Sequence, residues 1–218
     1  MRFKNYLQPE NVNATEDNIT ALQILDAAYD LFVERGYRAV TLRDVASRAN
    51  VNLGLIPYYF QSKENLAKRV CQDIFEELFQ KVQKMDLSGL TNAEKLYVIG
   101  VLQWRLVKQN EGFNRFYNEL IDSTGATNSP SDSFVATTWH IIRDYGLEVT
   151  KVENEIYFTA LKGAERMLVF RYNRGELGLT LEDIIDLLIS NYFYNIGLPD
   201  QEIAKIISSG RRFCENFQ

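Results

Sequence analysis

Four times along this chain a threonine is followed three residues later by an acid, and each pair stands just ahead of a run of apolar residues at helical spacing. The pairs are Thr41/Asp44, Thr91/Glu94, Thr150/Glu153 and Thr180/Asp183. Thr20/Gln23 has the same form with an amide in the acid's place. This is the capping box, in which hydroxyl and carboxylate each take a backbone N–H that the helix start leaves over. The apolar residues that follow recur every three or four positions, which is a helical period and not a strand period. Ser62 adds a single N-cap, and Gly36, Gly146 and Gly197 stand where helices should stop. With only four prolines in 218 residues, the chain has few places to break a helix. The fold class is therefore all-α, with nine to ten helices.

The stretch Thr41–Phe60 organises the rest. Leu42, Val45, Ala46 and Ala49 share one face of a short helix. Asn50-Val51-Asn52 then breaks the pattern, and asparagine tolerates the left-handed backbone of a tight turn. Leu53 to Tyr59 supplies about two further turns, held inward by Ile56 and Phe60. Two short helices on a tight turn make a helix-turn-helix, whose second helix enters the DNA major groove. The alternative is a helical pair that never meets DNA.

The longer segment Ile24–Leu66 resembles the DNA-binding domain of TetR-type transcriptional regulators. The resemblance rests on Ala27-Ala28, Leu31-Phe32, Gly36-Tyr37, Thr41, Asp44-Val45-Ala46, Ala49, Val51, Gly54, Tyr59-Phe60 and Ser62-Lys63-Glu64. It covers the first third of the chain. It implies a three-helix DNA-binding domain over 19–66, with the helix-turn-helix at 41–60, after a flexible arm at 1–18. A ligand-binding and dimerisation domain follows at 67–218. It further implies sequence-specific regulation, most often repression, with DNA affinity set by a small-molecule effector and the signal relayed through the helix after Ser62. Lys63 matches a phosphate-contacting lysine. Two positions depart from the pattern. Asn50 stands where glycine is common, and Pro57 where tyrosine is common; proline there is expected to remove a helix hydrogen bond and to bend the helix.

The expected DNA-contacting residues are Thr41, Arg43, Asn52, Leu53, Gly54, Leu55, Pro57, Tyr58, Tyr59 and Lys63. The chain carries a net charge of −5, but between Arg35 and Arg69 seven bases face two acids. Such a cationic segment on an acidic body suits phosphate attraction at one end. The partner is then double-stranded DNA bearing an inverted repeat, read by a homodimer. Two helices beginning at Thr150 and Thr180 are apolar over more than one face, so each needs burial on two sides. The expected dimer contacts are Ile156, Ala160, Gly163, Ala164, Met167, Ile185, Leu188, Ile189 and Tyr192. The effector pocket is expected among Trp104, Arg105, Phe113, Phe116, Tyr117, Trp139, His140, Arg143, Tyr157 and Arg166, whose arginines suggest an anionic or carbonyl-bearing effector.

Other function classes find little support. A single histidine, His140, leaves no His-based metal cluster, and neither Cys71 nor Cys214 has a CxxC partner. The glycines are isolated, so no phosphate loop is present. No catalytic residue, metal or cofactor is expected. A helical sensor or adaptor with a degenerate DNA-binding unit is the remaining rival, kept open by Pro57. The N-terminus lacks the apolar core of a signal peptide and no apolar run reaches ~18 residues, which leads to a cytoplasmic, nucleoid-associated protein with no membrane partner.

Overall fold

The computed structural model describes residues 16–124 and 132–216, without the side chains of 16–18, 78, 83 and 132–136. Ten α-helices and no strand are found among them: α1 (Glu16–Arg35), α2 (Leu42–Ala49), α3 (Leu55–Phe60), α4 (Lys63–Gln83), α5 (Asn92–Gln109), α6 (Glu111–Thr124), α7 (Asp132–Asp144), α8 (Lys151–Asn173), α9 (Leu181–Asn195) and α10 (Asp200–Glu215). All four Thr–acid boxes form at the helix starts. Ser62 Oγ accepts the Asn65 N–H at 3.1 Å, as an N-cap of α4 should. Thr20 does not cap. The helix begins at Glu16, a turn earlier, so Thr20 and Gln23 lie inside it. The arm expected at 1–18 falls outside the described residues as far as 15; 16–18 are helical.

The chain divides into two compact units. The first takes residues 1–74 together with 110–128, and thus α1 to α3, the first half of α4 and the whole of α6. This differs from a division at residue 66, because α6 packs on α1. The Phe32 and Phe116 rings stack at 4.8 Å between centroids. Arg115 donates to the last-turn carbonyls of α1, Val33 O at 3.0 Å and Glu34 O at 2.8 Å. Glu119 accepts the Arg38 N–H at 2.9 Å, and the Arg38 guanidinium pairs with Asp122. The core of this unit holds Ile24, Ala28, Leu31, Phe32, Val45, Ile56, Leu66, Val70 and Phe116.

The second unit takes residues 75–109 and 129–218. Helix α5 is buried along most of its length, against α7, α9 and α10. Gly210 of α10 lies against the buried Tyr97 ring, where an added Cβ would collide with it. Tyr97 Oη donates to Asp186 at 2.7 Å, and Arg211 bridges Asp183 and Asp186. A buried polar chain runs from Tyr192 Oη to Asn154 (2.8 Å) and from Asn154 to Thr138 (3.0 Å). Each buried group has a partner, so the chain ties α9, α8 and α7 together without a desolvation penalty left over.

Candidate nucleic-acid interface

The helix-turn-helix is built locally. Thr41 Oγ1 accepts the Asp44 N–H at 3.2 Å, while the Asp44 carboxylate takes the Thr41 N–H at 2.8 Å. Those bonds from Thr41 hold the Asp44 carboxyl below the usual carboxylate range. Asn50 ends α2 in the left-handed conformation, φ 54° and ψ 47°. Asparagine thus does there what glycine would do. Asn52 Oδ1 then accepts the Gly54 N–H at 2.9 Å, closing an Asx turn into α3.

Pro57 costs α3 no hydrogen bond. Helix α3 starts at Leu55, two residues later than expected, so Pro57 is its third residue. The first three N–H groups of a helix have no partner within it, and proline there gives up nothing. Gly54 likewise precedes the helix and does not weaken its interior. The argument that Pro57 favours a degenerate DNA-binding unit therefore lapses. The strain lies at the other end. Gln61 has φ 64° and ψ −45°, and Ser62 N–H bonds Phe60 O at 2.7 Å across it. This is a γ-turn of the strained, positive-φ kind.

Ile56 is fully buried and anchors α3. Leu53, Gly54, Pro57 and Tyr58 face solvent, with Tyr58 72% exposed; Leu55, Tyr59 and Phe60 are half-buried. Thr41, Arg43 and Asn52 are also exposed. Lys63 is half-buried over the Tyr37 ring, 4.3 Å from its centroid. Burial lowers its pKa, against the opposing pull of Glu119 and Asp44. The local cationic excess is mostly answered at short range: Arg48 by Glu34, Arg38 by Asp122, Lys68 by Glu64 and Arg69 by Asp73. The described part of the first unit carries eight bases and eleven acids. Among the described residues Arg43 has no acidic partner.

The expected effector residues are shared between the two units. Phe113, Phe116 and Tyr117 are buried in the first unit, where Phe116 packs on Phe32. In the second, Trp104 donates to the buried Glu165 at 2.9 Å, and Arg105 is held by Glu182 and the Cys214 carbonyl. His140 and Arg143 pair with each other on the surface; Trp139, Tyr157 and Arg166 are half-buried. Sequence reading missed an apolar crevice of about 20 Å³ among α5, α8 and α9, lined by Leu96, Gly100, Phe158 and Leu161, with Lys162 and Glu165 at its edge. It holds room for about one water. No periodicity signal would have singled it out, since every one of its apolar residues also reads as core.

The expected dimer residues divide in two. Ile185, Leu188, Ile189 and Tyr192 turn into their own unit's core. Ile156, Ala160, Ala164 and Met167 face out along α8, with Gly163 half-buried beside them. Val152 extends that stripe, and Leu187 and Tyr194 stand out from α9.

A buried three-helix core presenting α3 to solvent defines a helix-turn-helix protein of all-α fold. Residues 24–70 match the family model described as bacterial regulatory proteins, tetR family. The chain is 29% identical over 99 residues to the HTH-type transcriptional repressor KstR2 of Rhodococcus jostii, covering 45% of this chain and 48% of the relative. It is 35% identical over 89 residues to the repressor KstR of Mycolicibacterium smegmatis, covering 40% and 43%. It thus spans about half the length of the curated relatives it matches. Among solved structures, RolR in complex with resorcinol has a TM-score of 0.63 at 17% identity, over 90% of this chain and 96% of RolR. A TetR regulator from Rhodococcus sp. RHA1 has the same TM-score at 19% identity, over 84% and 98%. At these identities the likeness speaks for the fold. Among the described residues no helix is long and apolar enough to cross a membrane, and no cluster is placed to hold a metal.

Proposed function

We propose that this chain is a sequence-specific DNA-binding transcriptional regulator, a repressor by type, that acts as a homodimer on an inverted repeat under control of a small-molecule effector. One observation carries the reading: in the segment matching the family, α3 is pinned by the buried Ile56 while Leu53 and Tyr58 are left in solvent. Selection of random duplexes by the purified protein is the test. Enrichment of an inverted repeat with half-sites about one helical turn apart, or a multiple of it, is expected. No enriched duplex refutes the reading. Arg43 and Lys63 position the phosphate backbone, and Arg43→Ala reduces the salt slope of binding by about one.

The outward stripe of α8, with Leu187 and Tyr194, supports a dimer face. An open groove of about 780 Å³ between α9 and α10 continues from those two residues. Sedimentation equilibrium showing only monomer at micromolar concentration would exclude it. The effector domain is the second unit. Helix α4 contributes to both units and carries the effector's signal to α3. The site of action is the cytoplasm, where such DNA lies.

A further inference from the structure

From Asn52 to Gln61 the chain carries no charged residue, although this is the segment offered to a polyanion. The groups able to read bases are correspondingly few. An Asn or Gln reads adenine by using its carbonyl and its amide together. Asn52 Oδ1 already accepts the Gly54 N–H at 2.9 Å, which holds the amide against its own turn. Gln61 lies beyond the end of α3, and its Oε1 accepts from Asn65 Nδ2 at 3.3 Å. Guanine is read by a bidentate Arg or Lys, and α3 has neither. What the face does present is apolar: the Leu53 side chain (39% exposed), the Pro57 ring and the Tyr58 ring (72% exposed). Tyr58 is held by the edge of Tyr59, with centroids 4.9 Å apart and planes at 80°. A ring already fixed by its neighbour loses little freedom on docking.

The major-groove edge of a base pair has one apolar feature, the C5-methyl group of thymine. Taking duplex DNA as the partner, as proposed above, we propose that Leu53, Pro57 and Tyr58 select the operator by packing on thymine methyl groups. Guanine and adenine readout by bidentate hydrogen bonds is then absent from α3, and half-sites are thymine-rich on the edge facing it. Burying one methyl against such a surface corresponds to roughly a fourfold change in affinity.

The test starts from the duplex obtained by random selection. Each thymine of the half-site is replaced singly by deoxyuridine, which keeps the base pair and removes only the methyl group. Binding is measured for the full-length protein and for Tyr58→Ala, Tyr58→Phe and Leu53→Ala. These side chains are exposed, and matching thermal melts confirm the fold. We expect one or more thymines at which deoxyuridine lowers affinity roughly fourfold. Tyr58→Phe keeps that loss, while Tyr58→Ala or Leu53→Ala abolishes it at its own thymine. Equal affinity for the fully uracil-substituted duplex overturns the proposal. So does an undiminished loss in both alanine variants, which would place the effect in the DNA's own deformability. If selection enriches no duplex, DNA binding itself fails and this proposal falls with it.

Discussion

Replacing Gly112 by alanine sets two effects of opposite sign against each other. Gly112 lies in the first turn of α6, where that helix meets the end of α1. A Cβ there would sit 2.5 Å from Val33 O and 2.7 Å from Val33 Cγ1. The carbonyl has little room to retreat, because Arg115 holds it at 3.0 Å. Forcing an extra methyl into such a contact costs about 1–3 kcal/mol. Glycine-to-alanine in a helix returns at most about 1 kcal/mol, and less in a first turn. The net effect is a loss of roughly 1–2 kcal/mol. For a chain of this size that is a fall in Tm of about 3–6 °C. Circular-dichroism melts of the parent and Gly112→Ala measure it. A variant melting at or above the parent would show that α6 does not press on α1, and would refute the account of the first unit.

Three further outcomes follow from the same kind of reasoning. Gln61→Gly should stabilise the protein by about 1 kcal/mol in urea unfolding, because glycine takes a φ of 64° without strain; an unchanged midpoint would remove the strain. Cys71 and Cys214 are both buried, and burial pushes the Cys214 thiol up to about 11, so neither should react with a disulfide reagent at pH 8 until denaturant is added. Hydrogen bonds from Thr180, and then from Arg211, hold the Asp183 carboxyl down to about 2. A depressed carboxyl stabilises the fold above its unfolded pKa near 4, and that stabilisation is lost as pH falls from about 4 towards 2. Asp183→Asn should flatten the stability profile in that window, and an identical profile would deny the bond its role.

The helix starts were legible because a capping box is a local device, complete within four residues. Thr41, Thr91, Thr150 and Thr180 each act as their sequence implied. Thr20 failed because the same four letters can lie inside a helix that already runs. Pro57 shows the same dependence on where a helix starts. A shift of two residues in the start of α3 turns a helix breaker into a neutral first-turn residue. Long-range matters were less legible. Helix α9 is apolar on several sides, and no wheel says which side its own unit will cover; Tyr192 went inward and Tyr194 outward. Large aromatics at helical spacing suit a pocket and a core alike; Phe113 and Phe116 fall in the unit of α1, more than seventy residues back in the chain. Only contacts distant in sequence decide that.

Because α6 belongs with the first unit while the helices on either side of it belong with the second, the unit that holds the helix-turn-helix is not one uninterrupted tract of gene. A hybrid made by a single crossover near codon 74 would keep α1 but set another protein's α6 against it in place of Gly112, Arg115 and Glu119. Functional recombinants of this protein should therefore arise from double exchanges that carry codons 110–124 along with the front of the reading frame.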